Sequence, residues 1–204
     1  MRVYGRVDTR APIFHYDLAS PECYLAAERI SAILPAAPIW EPVLGSWYET
    51  AELAGAPPLE LRPHLDPPDR AAVERIARER GLQPVRWPLR WPPDSRLAMH
   101  AAAYAKSIGR ATAFSLAAFR QAFAAGRDLA DPDTIVIAAA ACEMHPAAVL
   151  KAVGLRSVEG ALEQATERAV ACGVRRLPAI RLDELVFEGE GGLDEAATAL
   201  LARA

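Results

Sequence analysis

Residues 13–26 read IFHYDLASPECYLA, and this stretch decides the fold. Ile13 to Leu18 is aromatic and β-favouring, bounded by Pro12 and by the turn-forming Ala19-Ser20-Pro21. Ser20-Pro21-Glu22-Cys23 then opens a helix. Serine offers a side-chain oxygen to the first unpaired N–H groups, and proline at the first helical position forfeits an N–H that has no partner anyway. Glu22 sets a negative charge at the positive end of the helix dipole. Apolar Tyr24, Ala27, Ile30, Ala32 and Leu34 keep helical spacing until Pro35 stops the helix. Pro38 to Leu44 (PIWEPVL) predicts a second strand, which Pro42 places at a sheet edge or a strand end. The chain therefore starts β-α-β.

Working outward, the middle changes character. Five prolines between Leu53 and Asp69 (57, 58, 63, 67 and 68) predict loop. Helices are expected at 69–80, 94–109, 111–126, 132–143, 145–153 and 155–172. Proline follows Asp131 and His145 at two helix starts, and Gly81, Gly109, Gly126, Gly154 and Gly173 mark helix ends. Trp87 to Pro93 (WPLRWPP) must be an extended connector. Leu177–Leu182 and Glu184–Glu188 predict two short strands turning at Asp183, and Leu193 to Arg203 a last helix. The pattern is an α/β fold: a thioredoxin-like core interrupted by a large helical insertion. The expected division is a discontinuous core of residues 1–64 and 166–204 around an inserted helical domain of 65–165.

Composition bounds the function. The chain has 204 residues, of which 43 are alanine, so its apolar positions are small and favour helices. A net charge of -3 excludes a strongly basic nucleic-acid or membrane-surface protein, and the 21 arginines among 23 basic residues are scattered rather than clustered. No apolar run reaches the ~18 residues of a membrane span, and MRVYGRVDTRAP lacks the apolar stretch of a signal peptide. A cytoplasmic protein is expected. Cys23, Cys142 and Cys172 are too few and too far apart for a disulfide framework. The four histidines lack metal-type spacing, so no metal is expected.

Ser20 and Cys23 are the candidate catalytic residues. Cys23 takes the second place of a C-x-x-C pattern and a serine takes the first, so dithiol exchange within the chain is excluded on stoichiometry. A serine there can donate a hydrogen bond to a thiolate. It can also serve as a plain helix cap, and Cys23 can be a small buried apolar residue. Asp17 can orient the turn through backbone N–H groups.

Asp17 to Ala26 (DLASPECYLA) resembles the active-site turn of DsbA-like proteins, most closely the branch of 2-hydroxychromene-2-carboxylate isomerases and kappa-class glutathione transferases, where Ser-Pro replaces Cys-Pro. Further similarities are Pro42-Val43-Leu44-Gly45, Trp91-Pro92-Pro93-Asp94-Ser95, Ala113-Phe114-Ser115, Gly126-Arg127-Asp128-Leu129 and Gly173-Val174 with Leu177-Pro178. The resemblance covers roughly residues 11–200. It implies a glutathione- or small-thiol-dependent isomerase or transferase acting on an aromatic carboxylate, with a homodimer possible by analogy. It further implies that Pro178 is cis and faces Ser20, with Pro21, Leu177, Pro178, Arg62, Arg176 and Glu190 binding ligand. Three departures stand out: Glu190-Gly191 falls where the family has Ser-Asp, Arg175-Arg176 replaces Phe-Gly, and Arg62 replaces a lysine. Two alternatives stay open: a DsbA-like oxidoreductase working through Cys23 alone, and a non-catalytic binding module.

Overall fold

The structure, a computed structural model, describes residues 11–45 and 69–203. Its four strands are β1 (Ile13–Tyr16), β2 (Ile39–Pro42), β3 (Ala179–Leu182) and β4 (Leu185–Glu188), in the order β2-β1-β3-β4. β1 runs parallel to β2 and antiparallel to β3, and β3 and β4 form a hairpin with Asp183 at φ +54° in its turn. Pro42 ends β2, which is the edge strand, so its missing N–H costs no ladder bond.

The first helix is interrupted. Where one helix from Pro21 to Leu34 was expected, α1 (Pro21–Ala27) stops and α2 (Ile30–Ile33) begins after a turn at Glu28-Arg29. No glycine or proline causes this. Both side chains at the break are held from elsewhere: Arg120 donates to both oxygens of Glu28 at 2.7 and 2.8 Å, and Arg29 forks onto Asp194 at 3.1 and 2.9 Å.

The helical block follows the expected order: α3 (Arg70–Glu79), α4 (Arg96–Ser107), α5 (Ala111–Phe123), α6 (Pro132–Ala140) and α7 (Pro146–Ala152). Next comes α8 (Arg156–Ala171), and α9 (Gly192–Leu201) closes the described chain. The expected boundary at 165/166 falls inside α8, which runs unbroken. We propose counting α3 to α7 as the insertion, with α8 leading back into the core.

The block shares its core with the sheet. α4 packs on β2, α5, α7 and α8, and α5 packs on α1 and β2. On one face of β1, Phe14 and Tyr16 meet Trp40 edge-on, with ring centroids 4.9 and 5.5 Å apart. Phe119 of α5 lies 5.9 Å from Tyr16, and the Tyr16 hydroxyl pairs with Ser115 at 2.6 Å. Small alanines at 98, 101, 102, 105, 118 and 122 are fully buried and let α4 and α5 approach closely. At the C-terminal end of β1 the Leu18 N–H points at the Met99 sulfur at 3.3 Å. The insertion thus sits against the end of the sheet from which α1 departs. Among the described residues no helix is long and apolar enough to cross a membrane.

Candidate functional site

Asp17 follows β1 and is almost fully buried. Its Oδ1 accepts the Ala19 N–H and the Ser95 hydroxyl, both at 2.8 Å, and its Oδ2 accepts the Gly45 N–H at 2.7 Å. One carboxylate therefore ties the α1 turn to the loop after β2 and to the residue before α4. The sequence suggested the link to the turn. The partners Ser95 and Gly45, distant in sequence, left no local signal.

Ser20 caps α1. Its backbone N–H bonds to the Asp17 carbonyl at 3.1 Å, and its Oγ accepts the Cys23 N–H at 3.1 Å. The hydroxyl proton goes to the Glu22 carboxylate at 3.0 Å. Ser20 and Pro21 are buried, while Glu22 is half-buried. Cys23 is fully enclosed, and that burial pushes its thiol well above the ordinary cysteine range, outweighing the opposing hydrogen bond from the Ser20 side. A thiol so held stays protonated, and the thiolate is the reactive form. Cys142 is also raised by burial, and Cys172 is exposed.

The Leu177–Pro178 peptide is cis, as is Trp91–Pro92. The β1–β3 register pairs His15 with Ala179, so Pro178 lies at the same end of the sheet as Asp17 and Ser20. Leu177 is buried, and among the described residues neither its N–H nor its carbonyl has a hydrogen-bond partner. The approach is braced by Glu188, which accepts the Arg175 and Arg176 N–H groups, the latter at 2.8 Å. The sequence reading missed Glu188, since a glutamate closing a strand reads as solvated charge. The Arg176 side chain is exposed and lies over Gly189, where an added Cβ would come within 3.5 Å of Cζ. Gly192 is required by close approach: a Cβ there would meet the Phe187 carbonyl carbon at 2.7 Å.

One oxygen of Glu190, Oε1, is already engaged by arginine. Arg80, from the end of α3, donates to it directly, and Arg29 stands 3.8 Å away. Arg80 also reaches the Leu25 carbonyl at 3.4 Å. Burial, followed by the neighbouring Arg29 charge, lowers the pKa of Arg80. Arg62 lies outside the described residues. Among those described, no cluster of three or more His, Cys, Asp or Glu is placed to hold a metal.

The residues fit a small peptide thiol in part. Leu177 and Ser20 stand at the same end of the sheet but are both buried, the Ser20 donor is engaged by Glu22, and Glu190 Oε1 is engaged by arginine.

Comparison with known proteins gives these features a family. A solved 2-hydroxychromene-2-carboxylate isomerase superposes with a TM-score of 0.76 at 19% identity, covering 95% of this chain and 96% of that one. A probable DsbA oxidoreductase from Streptomyces coelicolor follows with a TM-score of 0.69 at 16% identity, over 95% and 91% of the two chains. The cytosolic disulfide reductase DsbM from Pseudomonas aeruginosa, solved with GSH, gives 0.62 at 15% identity over 95% and 98%. At these identities the likeness shows the fold alone. No curated protein matches. The description "DSBA-like thioredoxin domain" matches residues 13–201, nearly the whole chain, and this protein belongs to that family.

Proposed function

We propose that this protein is a small-thiol-dependent isomerase or transferase of aromatic, carboxylate-bearing substrates, with glutathione the first thiol to test. The observation that carries the reading is a serine hydroxyl at the α1 cap, where a redox relative needs its exposed cysteine, beside a Cys23 that burial keeps protonated. When bound, the thiol would supply a nucleophilic sulfur that adds to an unsaturated carbon and leaves again.

The chain's own residues hold and orient. In this reading Leu177 pairs with the ligand's peptide, as the family resemblance implies, and the cis Pro178 that follows contributes its carbonyl to the Gly189 N–H at 2.8 Å. Ser20 offers a hydrogen bond to sulfur once Glu22 releases it. Arg176 is exposed and close to this loop, and its fork suits a substrate carboxylate. Asp17 keeps the turn fixed to the inserted helices, and the buried aromatic wall of Tyr16 and Phe119 gives the turn a rigid backing. The reading places the protein in the cytoplasm, where small thiols are reduced.

Equilibrium titration with glutathione tests this. Saturable binding that Ser20→Ala weakens supports it, and no binding at millimolar concentrations sinks it. A second reading, a non-catalytic binding module, is favoured by the engagement of Ser20 with Glu22 and of Glu190 with Arg80. Saturable turnover of any thiol-dependent substrate disposes of it. The single-cysteine oxidoreductase finds no support in an enclosed, protonated Cys23.

A further inference from the structure

A cavity of about 210 Å³ opens between β2, α4 and α8, apart from the Ser20 turn. The Leu18 N–H meets α4 at Met99, and Lys106, which lines the cavity, stands two turns further, about 10 Å along the helix. α4 and α8 pack on each other, and both pack on β2. On the cavity side α8 presents Ala161, Ala165 and Arg168, whose spacing puts them on one helix face, and α4 presents Ala103 and Lys106. Alanines on both helices leave space that larger side chains would fill. Leu162, Ala165 and Pro42 are buried and apolar, while Ala161 and Arg168 are exposed at the rim. Glu41 of β2 pairs with Lys106, the glutamate side chain 14% exposed and the lysine 34%. Two cations and one carboxylate therefore line an apolar hollow. Their field reaches buried His15, whose pKa is lowered by burial first and then by Arg181, Lys106 and Arg168.

We propose that this cavity is a second ligand site, taking a small aromatic monocarboxylate of about the size of benzoate. Volume sets the size: an apolar cavity of ~150 Å³ holds benzene, so one of about 210 Å³ admits a single ring bearing a carboxylate. The lining sets the polarity. A ring buries against alanine, leucine and proline, while its carboxylate stays with the cations at the rim. Lys106 has three donors to share between Glu41 and a ligand, and Arg168 adds a planar fork that suits a carboxylate. One further negative charge balances the two cations and Glu41. A dianion would meet Glu41 as a like charge, and a neutral ring gains burial without an ion pair. Binding here needs no thiol at Ser20.

The test titrates the full chain, isotopically labelled, with benzoate and with benzyl alcohol, following amide resonances at neutral pH. Arg168→Gln and Ala161→Leu are titrated beside it, and circular dichroism checks each fold. Both positions are exposed on α8, and glutamine and leucine are good helix formers. Benzoate is expected to shift resonances of β2, α4 and α8 around the cavity and to saturate at about millimolar concentration, with benzyl alcohol weaker. Arg168→Gln should weaken benzoate about tenfold, the value of one hydrogen bond to a charged group, and leave benzyl alcohol almost unchanged. Ala161→Leu, which fills the cavity and keeps both cations, should weaken both ligands. No saturation by about 10 mM benzoate overturns the proposal, as do shifts confined to the Ser20 turn and Leu177. Loss in Ala161→Leu alone reveals a hollow without charge selectivity, and loss in Arg168→Gln alone reveals surface ion pairing. Either result overturns it too. Glutathione titration of the same samples decides the thiol reading separately.

Discussion

The polar groups of β1 and its turn contrast with the ionic corner formed by Arg29, Arg80, Glu190 and Asp194. His15, Asp17 and Ser20 are buried: the bonds of Ser20 stay within its own turn, while Asp17 also accepts from Gly45 and Ser95 in other segments. The corner also joins distant segments, but through charges that water reaches, with the Glu190 side chain 41% exposed and that of Asp194 54% exposed. Both regions look equally well connected by distance. Physics separates them: a buried polar group that loses its partner carries the full cost of desolvation, whereas an exposed ion pair falls back on water.

The largest expected effect comes from His15. It is buried, with no hydrogen-bond partner for either ring nitrogen among the described residues. Burial first, then the charges of Arg181, Lys106 and Arg168, lowers its pKa from 6.5 to about 3. Between those values the unfolded chain takes up a proton that the native chain refuses. Stability from this group is therefore complete above about pH 6.5 and falls as pH drops toward 3, by up to about 5 kcal/mol. Urea unfolding at pH 7 and pH 4 should show a steeper acid loss in the parent than in His15→Leu. Identical losses would break the contrast at its strongest point.

Asp17→Ala comes next. It strands the Ala19 and Gly45 N–H groups and the Ser95 hydroxyl in the interior, which should cost about 3 kcal/mol or more. Asp17→Asn should cost less, because it keeps one acceptor oxygen but turns a donor toward another N–H. Denaturant midpoints measure both, and a loss under ~1 kcal/mol for the alanine variant would put the buried turn on a par with the corner.

Ser20→Ala should lower stability by only about 1 kcal/mol, the ordinary value of a helix cap. Its effect on thiol binding should be larger relative to that cost, about tenfold or more. Thermal unfolding beside glutathione titration sharpens the contrast between a cap and a ligand contact. Glu190→Gln should be the smallest, within ~1 kcal/mol by urea unfolding and weaker still at high salt. A larger loss would show that the corner carries part of the fold.

The Trp87–Pro93 connector and the α1 break mark the limits of reading locally. Prolines announce the connector, because each removes a donor and restricts its neighbour. Nothing between Glu28 and Ile30 announces the break, since ion pairs to α5 and α9 accompany it. Strands are shorter than expected: Leu18 and Leu44, read as strand residues, serve the turn and the loop, where their N–H groups meet Met99 and the Thr166 hydroxyl.

By itself, the order of amino acids determined the α/β architecture, the helical interruption, the capped start of α1 and the placing of Ser20 three residues before Cys23. These are written in period, proline placement and side-chain type, which act within a few residues. Only the tertiary structure decided which of those groups are free to act. It enclosed Cys23, gave the Ser20 proton to Glu22, tied Asp17 to Ser95 and Gly45, and turned Arg80 onto Glu190. Burial and hydrogen-bond partnership depend on segments distant in sequence meeting in space, and no local pattern encodes that meeting.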